Sequence, residues 1–300
     1  MNAEELDSRI RSGQPPLLVN VLPEEVFAAE RIPGSVNACV YEMAFLDRVS
    51  QLAPEKETAI VVYGAGEGSL DSRCAVEKLK TAGYLHVTDL PAGLPGWRSA
   101  GFPVEGSGQL PQAPRIDGRF AIDTAESVIR WTGRNLFNHH SGTVRLASGE
   151  IHVADGVLES ARFVIDMDSI ACEDLADPDW NAMLIRHLHD ADFFETSRFP
   201  TAVFAADEAG DIPNATEGMP NHLLNGKLTL RGVTRQLDFP AVIASADGRR
   251  LTGQAQFEID RTEFGSLYGS GKFFRHLGKH IVNDHIHLHV KIHADSVPRD

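Results

Sequence analysis

Histidine side chains at two places in the sequence, one of them beside carboxylates, together have the chemistry of a metal site. The chain contains 13 histidines, of which 12 follow Val104. His140 stands in the segment NHHSG, and His187 and His189 belong to HLHDAD. Imidazole nitrogen and carboxylate oxygen are ligands of zinc and of non-haem iron. Because the spacing matches no established ligand motif, histidines hydrogen-bonded to nearby carboxylates remain the competing interpretation.

Four further histidines alternate with aliphatic residues near the end of the sequence. They are His285, His287, His289 and His293. Side chains of a strand point alternately to its two faces, so an inward aliphatic face places these histidines outside. We expect a solvated polar face here rather than a metal site.

The segment GAGEGSLDS, residues 64–72, follows an apolar run and precedes a helical pattern. Backbone N–H groups of such a loop can surround an anion. The segment lacks both the lysine of a phosphate-binding loop and the glycine spacing of a dinucleotide site. It also carries Glu67 and Asp71, and these carboxylates would repel an anionic substrate.

The three cysteines are Cys39, Cys74 and Cys172. They are too widely separated to indicate a disulfide framework or a metal knuckle, so we expect reduced thiols. Cys74 lies near the start of a predicted helix, where the helix dipole favours a thiolate. We favour a packing role for it between helix and sheet, and we assign no motif to the other two.

The periodicity changes along the chain and predicts two domains. Residues 1–106 alternate short apolar runs with helical patterns, which is typical of an α/β domain with a parallel sheet and flanking helices. Residues 107–115 are rich in glycine, proline and polar side chains and are predicted to form a linker. Residues 116–296 show a period of two, which indicates an antiparallel barrel or sandwich, with one short helix near 179–189.

Composition argues against several classes of function. The 300 residues include 28 Lys and Arg against 42 Asp and Glu, a net charge of −14. Nucleic-acid binding and adhesion to anionic lipid both depend on basic residues, so we expect neither. The sequence shows no signal-peptide pattern and no run near the roughly 18 apolar residues of a membrane span. We therefore expect a cytoplasmic protein without a membrane span.

Three segments of the first domain follow one another in a recognisable order. They are LLVNVLPEEVFAAERIPGSVN at 17–37, IVVYGAGEGSLDSRCAVEKLKTAGY at 60–84 and LPAGLPGWRSAGFPVE at 90–105. Together they resemble a complete rhodanese-like domain. That family places its active-site cysteine after the central strand, and here the position is Gly64.

The degenerate loop, which comprises Gly64, Glu67, Asp71 and Ser72, implies that sulfur transfer by the family mechanism is absent. The usual Asp-Val-Arg of the first core strand is replaced by Asn-Val-Leu at 20–22. A domain of this kind is expected to act as an interaction or regulatory module, through which a protein partner would bind.

The second domain resembles the YceI-like family over almost its whole length. The resemblance is carried by ARFVIDMDSI at 161–170, HLHDADFFETSRFPTAVF at 187–204, GKLTLRGVTRQLDFP at 226–240, FEIDRTEFG at 257–265 and DHIHLHVKI at 284–292. It implies a lipocalin-like barrel of eight antiparallel strands that holds a polyisoprenoid or a similar amphiphile.

The period of two predicts which side chains face the barrel interior and would contact such a ligand. They are Phe120, Ile122, Ile129, Trp131, Phe163, Ile165, Met167, Phe204, Leu228, Leu230, Phe257, Ile259, Ile286, Leu288 and Val290. The same residues could equally fill a closed core, because alternation does not distinguish a lined tunnel from a packed one.

The sequence thus favours a carrier of a long-chain amphiphile, such as an isoprenoid or quinone-like lipid, without catalytic residues. The alternative is a metal-dependent enzyme or small-ligand site built on His140, His187 and His189 at the barrel mouth. A third hypothesis is an interaction protein in which both domains bind only other proteins.

Overall fold

The chain divides into two compact units, Met1–Gln112 and Ala113–Asp300. The computed structural model describes residues 1–13, 15–110, 112 and 114–298. None of the helices in these ranges combines the length and the apolar composition that crossing a membrane requires.

The first unit contains a four-stranded parallel sheet in the order β2-β1-β3-β4, with helices around it. Its elements are α1 (Ala3–Arg11), β1 (Leu17–Asn20), α2 (Glu24–Ala29), β2 (Val36–Asn37), α3 (Phe45–Leu52), β3 (Ile60–Tyr63), α4 (Asp71–Thr81), β4 (Val87–Asp89) and α5 (Gly93–Ser99). All four residues of β3 are buried. Continuous burial is expected for a central parallel strand, because helices cover both faces of the sheet.

Helix α4 follows the degenerate loop directly and packs through Ala75 and Leu79, which are buried one helical turn apart. It ends before Gly83, which has a φ of 91°. The N–H of Tyr84 reaches back to the carbonyl of Leu79 at 3.1 Å. A glycine in the left-handed region commonly closes a helix in this way.

The first residues of the predicted linker remain attached to the first unit. Ser107 and Gly108 donate their backbone N–H groups to the carbonyls of Ala28 and Ala29, at 3.1 and 2.9 Å. Two linker positions, 111 and 113, lie outside the described residues.

The second unit is a closed antiparallel barrel with one helix. Its elements are β5 (Gly118–Ile122), β6 (Val128–Arg134), β7 (His139–Ala154), β8 (Val157–Cys172), α6 (Pro178–His189), β9 (Thr201–Asp211), β10 (His222–Leu230), β11 (Val233–Ser245), β12 (Arg250–Asp260) and β13 (His285–Ser296). The structure confirms the prediction of a parallel α/β domain followed by an eight-stranded antiparallel barrel.

Nine strand segments occupy eight positions around the barrel in the described part of the chain, because β5 and β6 share one. Both pair with β7 on one side and with β13 on the other. A turn at residues 123–127 separates them. Ser127 and Asp123 bond the backbone of His293 there, so the interruption leaves neither its N–H nor its carbonyl unpaired.

Consecutive positions of an antiparallel barrel run in opposite directions, so every second connection lies at the same end. The β6–β7, β8–β9, β10–β11 and β12–β13 connections therefore share one end, which also carries α6. We call it the α6 end. Helix α6 begins at Pro178 after Asp177, whose side chain accepts hydrogen bonds from the N–H groups of Asp179 and Trp180. This cap fixes where the chain turns from β8 into the helix.

Candidate functional site

The barrel encloses a cavity of about 420 Å³. Its volume falls within the range of roughly 300–1,000 Å³ that is usual for small-molecule pockets. Side chains from every barrel position line it, and most of them are apolar. Thirteen of the predicted interior residues are in the wall: Ile129, Trp131, Phe163, Ile165, Met167, Phe204, Leu228, Leu230, Phe257, Ile259, Ile286, Leu288 and Val290.

The other two predicted interior residues do not line the cavity. Phe120 is fully buried in the hydrophobic core of the barrel, and Ile122 packs against that core while partly buried. Both belong to β5, at the end opposite α6. Other residues near the same end, among them Gly156, Leu158 and Leu251, do line the cavity, so the cavity wall extends toward both ends of the barrel.

Aromatic rings form one side of the cavity wall. Phe239 lies between Phe204 and Phe257, with ring centroids 5.2 and 4.1 Å apart. Phe163 stacks on Phe204 at 6.2 Å. These planar surfaces give a flexible hydrocarbon chain extensive contact area at small cost in side-chain entropy.

Polar side chains line the cavity mainly at the α6 end, where its wall is made by connections as well as strands. They are Arg134, Asn135, Asn138, His139, His140, His187, Arg261, Tyr268 and Asn283. The cavity therefore has an apolar body and a polar end, which matches an amphiphile with one polar head group.

The three predicted metal ligands do not come together as one group. His187 contacts Tyr268 and Phe193 edge to face, at centroid distances of 4.5 and 4.9 Å. His189 does not line the cavity; its Nδ1 lies 2.8 Å from Thr196 Oγ1. His140 lies in β7, and its Nδ1 contacts Asp174.

His140, Cys172 and Asp174 form the metal-ligand group that the described residues contain. One ligand atom from each lies within 4.8 Å of the others. His140 Nδ1 is 3.2 Å from Asp174 Oδ2, and Cys172 Sγ donates to Asp174 Oδ1 at 3.3 Å. Asp174 also accepts from the N–H of Ser141 at 2.7 Å. Imidazole, thiolate and carboxylate in this arrangement are a ligand set suited to zinc.

The environment of this cluster shifts two pKa values in opposite directions. Burial opposes ionisation of Asp174, but hydrogen bonds from Ser141, Cys172 and His140 outweigh it and hold the pKa of that carboxyl below its ordinary value. Burial and the nearby Asp174 carboxylate raise the pKa of the Cys172 thiol. A bound cation would favour the thiolate instead.

Arg261 organises the β12–β13 connection at the α6 end. Its side chain is buried, and it donates to the carbonyls of Asn283, Ser266, Tyr268 and Val282, at 3.0, 2.6, 2.8 and 3.2 Å. Burial lowers the pKa of Arg261, which the nearby Asp284 and Asp260 carboxylates partly offset. One guanidinium thus holds both branches of the connection together.

The alternating histidines of β13 lie on the face opposite the cavity, as their parity predicts. His285 Nδ1 lies 2.8 Å from Glu258 Oε2, and His287 Nδ1 lies 3.3 Å from Oε1 of the same carboxylate. The hydrogen bond from His285 lowers the pKa of Glu258. These contacts join β12 and β13 on the outer face of the barrel.

The degenerate loop of the first unit contains its own carboxylate. Asp71 is buried, and its Oδ2 accepts from the N–H of Ala65 at 3.0 Å and from Ser69 Oγ at 2.6 Å. Its Oδ1 accepts from the N–H of Ser72 at 2.5 Å. The sequence predicts Asp71 as a charge that repels a bound anion, whereas in the structure the Asp71 carboxylate itself accepts the hydrogen bonds of the loop. Glu67 is exposed.

Cys74 departs from its predicted packing role. It lies in α4 with its side chain exposed, whereas Cys39 is buried and Cys172 is partly buried. Ala75 and Leu79 occupy the buried face of α4 instead. The helical period therefore turns Cys74 toward solvent.

Cys172 and Asp174 are site residues that sequence reasoning missed. They are two residues apart at the end of β8, a spacing that carries no ligand signature. Their proximity to the predicted residue His140 becomes apparent only from the pairing of β7 with β8, in which Gly142 lies opposite Cys172. Tyr268 and Arg261 are likewise identified only once the β12–β13 connection is folded against the cavity.

Comparison with known families matches both units. Residues 120–294 match the model of the YceI-like domain, and residues 2–100 match that of the rhodanese-like domain. Over 88 residues the chain is 36% identical to an HTH-type transcriptional regulator of Mycobacterium tuberculosis. The match covers 29% of this chain and 37% of that protein, so the chain spans just over a third of the length of this curated relative.

Solved structures resemble each unit separately. BcnA of Burkholderia cenocepacia is 21% identical, with 57% of this chain and 98% of that chain covered and a TM-score of 0.45. A polyisoprenoid-binding domain from Saccharophagus degradans is 15% identical, with coverages of 59% and 98% and a TM-score of 0.45. The Alr3790 protein of Anabaena is 32% identical, with coverages of 35% and 91% and a TM-score of 0.32.

Proposed function

Because the chain belongs to the YceI-like family, we propose that its barrel binds one long-chain amphiphile, such as an isoprenoid or a quinone-like lipid, and carries it without chemical change. The observation that supports this most directly is the cavity of about 420 Å³ with an apolar wall. A hydrocarbon that enters it gains about 25 cal/mol for each Å² removed from water.

The polar end of the cavity gives the ligand an orientation. Its hydrocarbon part lies among the phenylalanines of the wall, and its head group lies near His140, His187 and Tyr268 at the α6 end. Imidazole and phenol groups both donate and accept hydrogen bonds, so they suit a carbonyl or hydroxyl head group.

Extraction of the native protein tests this proposal. Protein purified without detergent is extracted with organic solvent, and the extract is analysed by mass spectrometry against a mock purification. We expect one hydrophobic molecule in close to stoichiometric amount. A barrel that carries no such molecule, and that takes up none from added isoprenoid alcohol or quinone, would overturn the proposal.

For the first unit we propose an interaction or regulatory role without sulfur transfer. The support is the absence of a side chain at Gly64 together with the Asp71 carboxylate that accepts the hydrogen bonds of the loop. The assay is cyanide-dependent formation of thiocyanate from thiosulfate, with no turnover expected. Turnover that Cys74→Ser abolishes would show that the exposed thiol has replaced the missing one.

A metal-dependent activity at the barrel mouth is a second candidate function, which the His140, Cys172 and Asp174 cluster favours. Elemental analysis of untagged protein and titration with Co²⁺ test it. A thiolate-to-cobalt absorption band that disappears in Cys172→Ser and persists in Cys74→Ser would support a metal site. Binding that is unchanged in Cys172→Ser would exclude this cluster.

We also propose that the protein works in the cytoplasm. Its three cysteines are free and Cys74 is exposed, which favours a reducing compartment.

A further inference from the structure

Exposed aromatic side chains of the second unit are concentrated at the α6 end. Within the described residues of this unit, the Phe and Trp side chains that solvent reaches most belong to three elements there. They are Phe137, Trp180, Phe273 and Phe274, exposed by 76%, 60%, 55% and 47%. Scattered exposed apolar residues are ordinary, but a group of aromatic ones at one place indicates an interaction surface.

These aromatic residues lie on the elements that form the mouth of the cavity. Phe137 is in the β6–β7 connection between Asn135 and Asn138, which both line the cavity. Trp180 is in α6, the helix that contributes His187 to the wall. These exposed aromatic residues therefore belong to elements that also line the polar end of the cavity.

Phe273 and Phe274 extend from the cavity wall on a closed loop. The N–H of Val282 donates to the carbonyl of Gly269 at 2.8 Å, which joins the two branches of the loop. Tyr268 and Val282, at the two ends of the loop closed by this hydrogen bond, line the cavity. A β-bridge between Asn135 and Val282 joins the loop to the β6–β7 connection.

The same loop carries basic and no acidic side chains in this acidic protein. Residues 264–283 contain none of the 42 acidic residues but include Lys272, Arg275 and Lys279, together with His276 and His280. Lys272 bonds Asp260. Arg275 and Lys279 are exposed, and no ion pair involves either within the residues that the structure describes.

We propose that Phe137, Trp180, Phe273, Phe274, Arg275 and Lys279 form a docking face for an anionic lipid bilayer, across which the amphiphile passes between membrane and cavity. Aromatic rings bury at the interface between head groups and acyl chains, and basic side chains beside them attract anionic head groups. This inference rests on the proposed function, because a membrane-soluble ligand has to leave and enter a bilayer.

The net charge of −14 is a sum over the whole chain, and residues 264–283 contribute none of its acidic side chains. At physiological ionic strength charges are screened over roughly 8 Å, so a bilayer responds to the face that touches it. A protein partner or a second copy of the chain would also meet the aromatic side chains, but neither requires a basic loop at the opening of a lipid cavity.

The test measures cosedimentation of the full chain with vesicles of phosphatidylcholine, alone or mixed with phosphatidylglycerol. Three proteins are compared with the wild type: Phe273→Ser with Phe274→Ser, Arg275→Glu with Lys279→Glu, and a control, Arg162→Glu with Lys227→Glu. The control reverses two exposed charges on the barrel wall, away from the docking face. Thermal unfolding confirms that each variant is folded.

We expect the wild type and the control to bind the anionic vesicles and to lose binding at high salt. Each docking-face variant should bind at least tenfold more weakly. Equal binding by all four proteins, or equal loss in the control, overturns the inference. So does self-association in light scattering that the aromatic variant abolishes while the wild type ignores vesicles.

Extraction of the same proteins separates this inference from the proposed function. A co-purified lipid in a wild type that ignores anionic vesicles overturns the docking face and leaves ligand binding intact. Vesicle binding that depends on the docking face, in a protein whose barrel takes up no lipid, supports the docking face and overturns the proposed function.

Discussion

The carboxylate of Asp71 occupies the space in front of Gly64: its Oδ2 atom lies 2.7 Å from the point that a β-carbon at Gly64 would occupy. The backbone and hydroxyl donors of the loop already bond this carboxylate. An anionic substrate would have to displace this side chain, and the N–H groups of Ala65 and Ser72 would lose their partner.

Gly64→Ala should therefore destabilise the first unit. The added methyl group overlaps the Asp71 carboxylate, and overpacking of this kind costs about 1–3 kcal/mol. Chemical denaturation monitored at Trp97, which is buried in this unit, gives the change. Gly210→Ala in β9 of the second unit adds the same methyl group with no atom within 4 Å of the β-carbon position, so it should change the stability of that unit by no more than about 0.5 kcal/mol. Equal stability of Gly64→Ala and wild type would show that the carboxylate moves freely.

Gly64→Cys should not restore sulfurtransferase activity. A cysteine at this position meets the same carboxylate, which occupies the donors that would hold the persulfide. The thiosulfate and cyanide assay should give no thiocyanate above the wild-type background. Activity in the single variant would show that the loop opens for an anion despite Asp71.

Ala161→Phe should exclude the ligand from the barrel. Ala161 is buried and lines the cavity, so a phenyl ring at this position would occupy part of the space that the ligand needs. We expect the amount of co-purified hydrophobic molecule to fall several-fold while the melting temperature is maintained. Ala121→Phe places the same ring on the exposed side of β5 and should carry as much ligand as the wild type. An equal loss in both variants would contradict a ligand in this cavity.

Arg261→Met should cost about 3–5 kcal/mol of unfolding free energy, the range for losing a buried, fully bonded charge partner. Methionine fills part of the volume but leaves the four bonded carbonyls of the β12–β13 connection without their donor. Urea unfolding measures the loss. Arg235→Met removes an exposed arginine, and we expect a change within about 0.5 kcal/mol. Comparable losses in the two variants would contradict the role assigned to Arg261.

The stabilisation from Asp174 should depend on pH in a defined range. Because bonds from Ser141, Cys172 and His140 lower its folded pKa, its contribution is complete above the unfolded pKa of about 3.9 and is lost as pH falls through the lower folded value. Asp174→Asn should be less stable than wild type at neutral pH, and the difference should narrow below about pH 4. Glu217→Gln, an exposed neutralisation, serves as the control. A difference that stays constant with pH would contradict the lowered pKa.

Alternation of apolar residues predicted the faces of the barrel strands well, because strand geometry has a period of two. It placed thirteen residues that line the cavity. It could not predict that Phe120 and Ile122 lie outside the cavity wall, because alternation specifies the face of a residue and not whether empty volume lies beside it.

The sequence could not predict the cluster of His140, Cys172 and Asp174 for a different reason. The pairing of β7 with β8 has three irregularities, at Thr143/Arg145, Leu146/Ser148 and His152/Val153. Each shifts the register by an amount that the sequence does not show. His140 therefore meets Cys172 and Asp174, whereas the sequence suggested His187 and His189 as its partners.

The two sheets differ in how they end. The barrel is closed by the pairing of β12 with β13, and the interrupted position of β5 and β6 is paired on both sides. The parallel sheet ends on β2 and β4, which are two and three residues long. Exposed long edges are the usual templates for intermolecular β-pairing, and closure or very short edge strands remove them. The chain can therefore contain many strands with little tendency to aggregate through the edges of its sheets.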